Sequence, residues 1–188
     1  MQKQHSIQSQ NRREFVKNSG KLAMASVALG AVAGVSPLLA QTNSKKTNKG
    51  AKMKTHNGVK FYQVSGEIGK MQDNHGYSAA VQIGNMIKIS GQGGWDRDFK
   101  FPHKKLSDEI AQALDNVAFV LESVGASWGD VYSVNSYFVD KMSDEVNMQM
   151  ANFFKKNCPN QPLWTSVQVA GLGHPSMRVE IVVEAMKK

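Results

Sequence analysis

Glu180 is a carboxylate in a place where a carboxylate needs a reason. It falls within Met177–Ala185, where Val179, Ile181 and Val183 alternate with Arg178, Glu180 and Val182, the period of a half-buried strand. A second strand is predicted just before it, Leu163–Ala170, joined to it as a hairpin through Gly171-Leu172-Gly173-His174-Pro175-Ser176. Glu180 then stands mid-strand, opposite an apolar row, on the same face as Arg178, its neighbour two positions away and a ready partner. A charge there calls for a partner, water or a ligand. A solvated sheet face is the plainer reading.

The other reactive side chains offer less. Cys158 is the only cysteine, so no disulfide forms within the chain, and nothing beside it reads as an activating base. His56, His75, His103 and His174 show neither i,i+4 pairing nor His-x-His spacing, so no metal site is expected. No Gly-x-Ser-x-Gly elbow occurs. Gly91-Gln92-Gly93-Gly94-Trp95-Asp96 reads as a loop. No Lys-Ser/Thr follows it and no helix opens from it, so it is not a phosphate cradle. Glycines near a strand end more often allow close backbone approach. No cofactor is expected.

Around Glu180 the chain reads as one α+β domain. Val59–Val64 is a first strand. Ala79–Ile83 and Met86–Ser90 flank Gly84-Asn85, a two-residue hairpin turn. Ser107 is the expected N-cap of a helix whose apolar positions run from Ile110 to Val124, stopped by Gly125. Val131–Val139 is a strand. Ser143 caps a second helix carrying Val146, Met150, Phe153 and Phe154, ended by Cys158-Pro159. The expected order is β-β-β-α-β-α-β-β, with two helices on one face of a mostly antiparallel six-stranded sheet.

The amino end is different in kind. Residues 1–54 carry ten Lys/Arg against one acid, and residues 55–188 carry thirteen against fourteen. The net charge of +8 therefore belongs to the leader and linker, and the body makes no electrostatic case for nucleic acid. Asn11-Arg12-Arg13-Glu14-Phe15-Val16-Lys17 resembles a twin-arginine export motif, and Leu22–Ala40 after it has no charge. Residues 1–40 read as a twin-arginine signal peptide delivering a folded protein to the periplasm. The alternative is an inner-membrane anchor, because 19 uncharged residues just suffice to span; membrane contact is expected only through such an uncleaved leader. Polar, Lys-rich residues 41–54 read as a flexible linker, leaving residues 55–188 as the folded domain.

Within that domain, a set of short runs resembles the RidA family, the reactive-intermediate (imine) deaminases of YjgF type also described as L-PSP endoribonucleases. They are Gly76-Tyr77-Ser78, Ser90-Gly91-Gln92, Asn116, Gly125-Ala126-Ser127, Asp130-Val131, Asp140, Asn147 with Phe153-Phe154, Pro162-Leu163-Trp164-Thr165, and Val179-Glu180-Ile181, in that order. The resemblance implies a RidA-like (chorismate-mutase-like) fold and a homotrimer with small-molecule sites at its subunit interfaces. It implies Glu180 as the general base that handles water attacking an imine. Tyr77, Ser90, Gly91, Asn147 and Trp164 are implied as the substrate-binding wall. No metal, cofactor or nucleic-acid partner is implied by it.

Trp164 departs from the family pattern, which has an arginine there to fork onto a substrate carboxylate. The exchange deletes a charge and leaves one indole N–H. Losing such a clamp costs about 2–5 kcal/mol, roughly 30- to 4000-fold in binding. The expected function is therefore an exported hydrolase of imine-type C–N bonds with an altered substrate range. The alternative is a non-catalytic trimeric module that stacks an aromatic ligand on Trp164. A third reading of Trp164 is a packed residue that closes the pocket. RNA cleavage is disfavoured by the charge balance of the body.

Overall fold

The computed structural model describes residues 51–188. The leader reading, the twin-arginine motif and most of the expected linker lie outside them. Eight strands form one sheet: β1 Lys52–His56, β2 Val59–Gln63, β3 Ala80–Ile83, β4 Met86–Ile89, β5 Gln92–Gly93, β6 Val131–Phe138, β7 Leu163–Gln168 and β8 Val179–Met186. The helices are α1 Gly66–His75, α2 Leu106–Ser123 and α3 Asp144–Asn157, with a 3-10 turn at Trp128–Asp130. The sheet runs β1-β2-β3-β4-β8-β6-β7, with β5 also on β8. All pairings are antiparallel except β6–β7. The α+β, mostly antiparallel architecture is as expected; two strands and one helix are added to it.

The first addition is β1. Its hairpin with β2 turns at Asn57-Gly58, both at positive φ (48° and 78°), and His56 pairs with Val59 across it. Asn-Gly is the residue pair that a two-residue turn of this hand needs. The strand begins at Lys52, inside the stretch expected as linker. The second addition is the two-residue β5 in the glycine-rich loop. The added helix, α1, ends on Gly76 in the left-handed conformation (φ 70°), where the Gly76 and Tyr77 N–H groups bond the carbonyls of Asp73 and Gln72.

Two expectations at the carboxyl end are corrected. β7 and β8 are not a hairpin: β6 lies between them, parallel to β7 and antiparallel to β8. The chain leaves β6, crosses through α3 and returns as β7 in the same direction, the connection that parallel strands require. Leu163–Gln168 thus becomes a sheet edge. At α2, helix begins at Leu106 with Lys105 before it, so Ser107 is inside the first turn and not the cap. Ser143 does cap α3, its Oγ accepting from Val146 N at 3.3 Å.

The core lies between one sheet face and the helices. Ile87, Ile89, Val134, Phe138, Val179, Ile181 and Val183 meet Ile110, Leu114, Val117 and Leu121 of α2, all nearly or fully buried. The other sheet face carries Leu163, Ile83 and Val167 at 74%, 48% and 41% exposure, a mixed apolar surface on which Glu180 sits.

Candidate functional site

Glu180 owes its position to β8 having two neighbours at that point. On one side it registers with Tyr137 of β6, and on the other with Gly93 of β5. Between β4 and β5 the register on β8 slips by one residue, from Lys88 opposite Glu184 to Gln92 opposite Ile181. The slip is a β-bulge at Ser90-Gly91. It turns the bare Cα of Gly91 toward the Glu180 side chain. A Cβ there would overlap Oε1 and stand 2.5 Å from Cδ and 2.8 Å from Cγ. What approaches Gly91 is the Glu180 side chain, and not the backbone expected from the glycines.

The loop that follows is held rigidly. Asn116, fully buried on α2, donates both amide hydrogens to carbonyls of the loop, Gly93 O and Trp95 O, each at 2.8 Å. Its Oδ1 accepts from Arg97 Nη1 and Gln112 Nε2. Gly94 packs on Glu109 of the same helix, where a Cβ would stand 2.7 Å from Glu109 O. Glu109 in turn takes two bonds from Arg178, Nε to Oε2 and backbone N to Oε1, both at 2.7 Å. The remaining Arg178 donors reach Lys104 O and His103 O. Arg178 is therefore not Glu180's partner, contrary to the expectation from alternation. It pins the start of β8 two residues away, with Nε, Nη1 and Nη2 all bonded within the protein.

Ser90 and Tyr77 complete one side. Ser90 Oγ donates to Ala79 O (3.1 Å) and lies 3.3 Å from Gln92 Nε2. Its backbone N–H also bonds Ala79 O. Tyr77 is two residues before Ala79 and so, by alternation, on the same face as Glu180. Its hydroxyl meets Met71 Sδ at 3.3 Å. Burial raises the Glu180 carboxyl above its ordinary range. Burial, and then the Glu180 charge, raise the Tyr77 phenol above its own. The pair faces one partly desolvated space, with the carboxylate raised by burial above its ordinary range.

Asn147 and Trp164 stand apart from this group within one chain. Asn147 is exposed on α3. Trp164 registers with the buried Val134 and points to the helix face, opposite Glu180. Its Nε1 donates to Ser136 Oγ at 2.9 Å, and its ring meets Phe154 edge-on at 5.4 Å. The indole N–H is thus spent inside the protein. Cys158 is buried, with its thiol pushed up to about 11 by burial, which removes it as a nucleophile. Among the described residues, no group of three or more His, Cys, Asp or Glu side chains is placed to hold a metal ion. Asn116, Glu109 and Arg178 were not legible as supports of the site. Only the isolated Asn at the centre of an apolar helix marked one of them.

The matching family model is Endoribonuclease L-PSP, over residues 65–187. A 2-iminobutanoate/2-iminopropanoate deaminase of Dermatophagoides farinae is 37% identical over 108 residues, covering 56% of this chain and 80% of the relative. The RutC family protein YjgH of Escherichia coli is 26% identical over 108 residues, covering 57% and 82%. In structure, the YjgF gene product of E. coli superimposes with a TM-score of 0.54 at 28% identity, over 60% of this chain and 88% of that one.

Proposed function

The chain belongs to the Endoribonuclease L-PSP family of RidA-type proteins, and we propose that it hydrolyses imine-type C–N bonds, with a substrate range moved away from simple 2-imino acids. The observation that carries this reading is Glu180, partly desolvated on the bare Cα of Gly91 and coupled to Tyr77. Glu180 takes a proton from water as its oxygen bonds to the C=N carbon, and the C=N π electrons move to nitrogen. Glu180 returns that proton to the nitrogen; the new hydroxyl then gives up its own proton, through Glu180, to the nitrogen as the C=O forms, the C–N bond breaks, and ammonia leaves a carbonyl product. Some relatives are named as iminobutanoate/iminopropanoate deaminases, which supports the same reaction class here. The shift in range rests on Trp164, which supplies no cation and whose N–H is already bonded.

Ammonia release from enzymatically generated imines tests the proposal, comparing wild type with Glu180→Gln. Turnover of imines that lack an adjacent carboxylate, lost in the Gln variant, is expected. No turnover of any imine, or full activity without Glu180, overturns it. RNA cleavage has no support in the near-neutral body, with thirteen Lys/Arg against fourteen Asp/Glu in residues 55–188. The alternative is a non-catalytic trimeric module that stacks an aromatic ligand on Trp164.

Assembly and location belong to the same proposal. The open sheet face, with Leu163, Ile83, Val167, Met86 and Met186 exposed, is covered by two further copies in a cyclic homotrimer, which brings the exposed Asn147 of one copy toward Glu180 of the next. Light scattering at three times the protomer mass, falling for Leu163→Asp, is the expected result; a wild-type monomer excludes it. Export by the twin-arginine route is expected to fail when Arg12 and Arg13 are both Lys. Normal periplasmic delivery of that variant rules the route out.

A further inference from the structure

A cavity of about 300 Å³ opens beside Tyr77, lined by Lys52, Lys54, Phe61, Gln63, Asp73 and Tyr77 among others. Half of its character comes from β1, which lies before the family match at residues 65–187. Alternation along β1 puts Lys52 and Lys54 on one face, opposite Gln63 and Phe61 of β2. Lys52 is engaged, its Nζ 3.6 Å from Asp73 Oδ2, while Gln63 Nε2 bonds the other oxygen of that carboxylate. Asp73 is the acid of the cavity and is thus held by two neighbours. Lys54 has no carboxylate within ion-pair range among the described residues. The cavity therefore carries one cation in excess, beside two aromatic rings. Its wall includes Tyr77, whose phenol feels the charge of Glu180.

We propose that this cavity holds the anionic end of the substrate, with Lys54 as the cation and Phe61 and Tyr77 packing its apolar body, while the C=N carbon lies beyond Tyr77 over Glu180. The inference rests on the imine-hydrolase reading and adds the substrate class: imines whose negative group is separated from the reacting carbon by an apolar, preferably aromatic, spacer. Four strand spacings separate β1 from β8 in the sheet order β1-β2-β3-β4-β8, about 19 Å between backbones. Two side chains reaching inward do not close that gap to the length of one C–C bond. A 2-imino acid, with its carboxylate directly on the imine carbon, cannot touch both Lys54 and Glu180. The same geometry that admits a long anion excludes the short one, in agreement with a Trp164 that provides no cation near Glu180.

Binding is tested on the full chain by calorimetric titration with benzoate and its neutral isostere benzamide, so that no turnover is needed. Because Lys54 is exposed, its pair with a carboxylate is a modest one. Benzoate is expected to bind about two- to fivefold tighter than benzamide. Lys54→Gln should erase that preference, Lys54→Arg should keep it, and Glu180→Gln should leave it intact. Equal affinity for the two probes, no binding of benzoate, or a preference that survives Lys54→Gln overturns the proposal. The two readings fail separately. Lys54-dependent benzoate binding in a protein that releases no ammonia keeps the anion site and discards the hydrolase. Ammonia release with an unchanged KM for anionic imines in Lys54→Gln discards the anion site and keeps the hydrolase.

Discussion

The Glu180 carboxylate lies on the Cα of Gly91, in space that any side chain at that position would occupy. The contact follows from the one-residue slip between β4 and β5 on β8, and it makes the missing side chain at Gly91 a condition for where the Glu180 carboxylate sits. The atoms that a Cβ would meet are the far end of a flexible side chain. Gly91→Ala is therefore expected to cost less than about 1 kcal/mol of stability. The carboxylate is pushed off its place, and ammonia release falls about 100-fold, the scale of a lost general base. Thermal melting and the ammonia assay, run together, separate the two effects. An active Ala variant would show that the placement of Glu180 over Gly91 is irrelevant to turnover.

The second expectation concerns pH. Burial raises the folded-state pKa of Glu180 above the ordinary 4.5. The penalised form is the ion, so the penalty is present above the folded pKa and disappears as pH falls through it toward 4.5. Glu180→Gln should thus stabilise the protein at pH 7 and have little effect near pH 4. Activity needs the ion, so the acid limb of kcat/KM should lie above 4.5. A limb at or below that value would mean that another group, or a fully hydrated one, is the base.

Arg178 and Glu109 form a pair 69 residues apart in sequence, with the carboxylate 3% exposed. Arg178→Ala leaves that buried charge with no cation, which should cost about 3 kcal/mol, the low end for breaking such pairs because Arg178 keeps part of its surface in water. The readout is the midpoint of chemical denaturation. Loss of under about 1 kcal/mol would mean that water replaces the arginine at Glu109.

Trp164 makes its hydrogen bond to Ser136 Oγ and packs on Phe154. Trp164→Phe keeps a ring and drops the donor, so it should cost about 1 kcal/mol and leave ammonia release unchanged. Intact stability combined with lost turnover would reverse the assignment and make the indole a ligand contact.

The parts of this protein that were legible in its sequence are those that depend on near neighbours. Alternation placed Glu180 mid-strand with its side chain off the core. The spacing of Ile110, Leu114, Val117 and Leu121 gave α2 and its buried face, and Ser143 marked the start of α3. Asn57-Gly58 announced the β1 hairpin equally clearly, but the lysines around it outweighed that signal and were read as a linker. Strand partners depend on the whole chain instead. Whether β7 pairs with β8 or with β6 turns on the α3 crossover, which local periodicity does not encode. The same holds for Arg178: alternation sets which side of the strand it leaves from. Only the packing of α2 against the Gly93–Trp95 loop decides that Glu109, and not Glu180, is the charge it meets. The site is assembled at those long-range contacts, so the place of Glu180 was readable from the sequence, while its supports and the cavity beside it came from the tertiary structure.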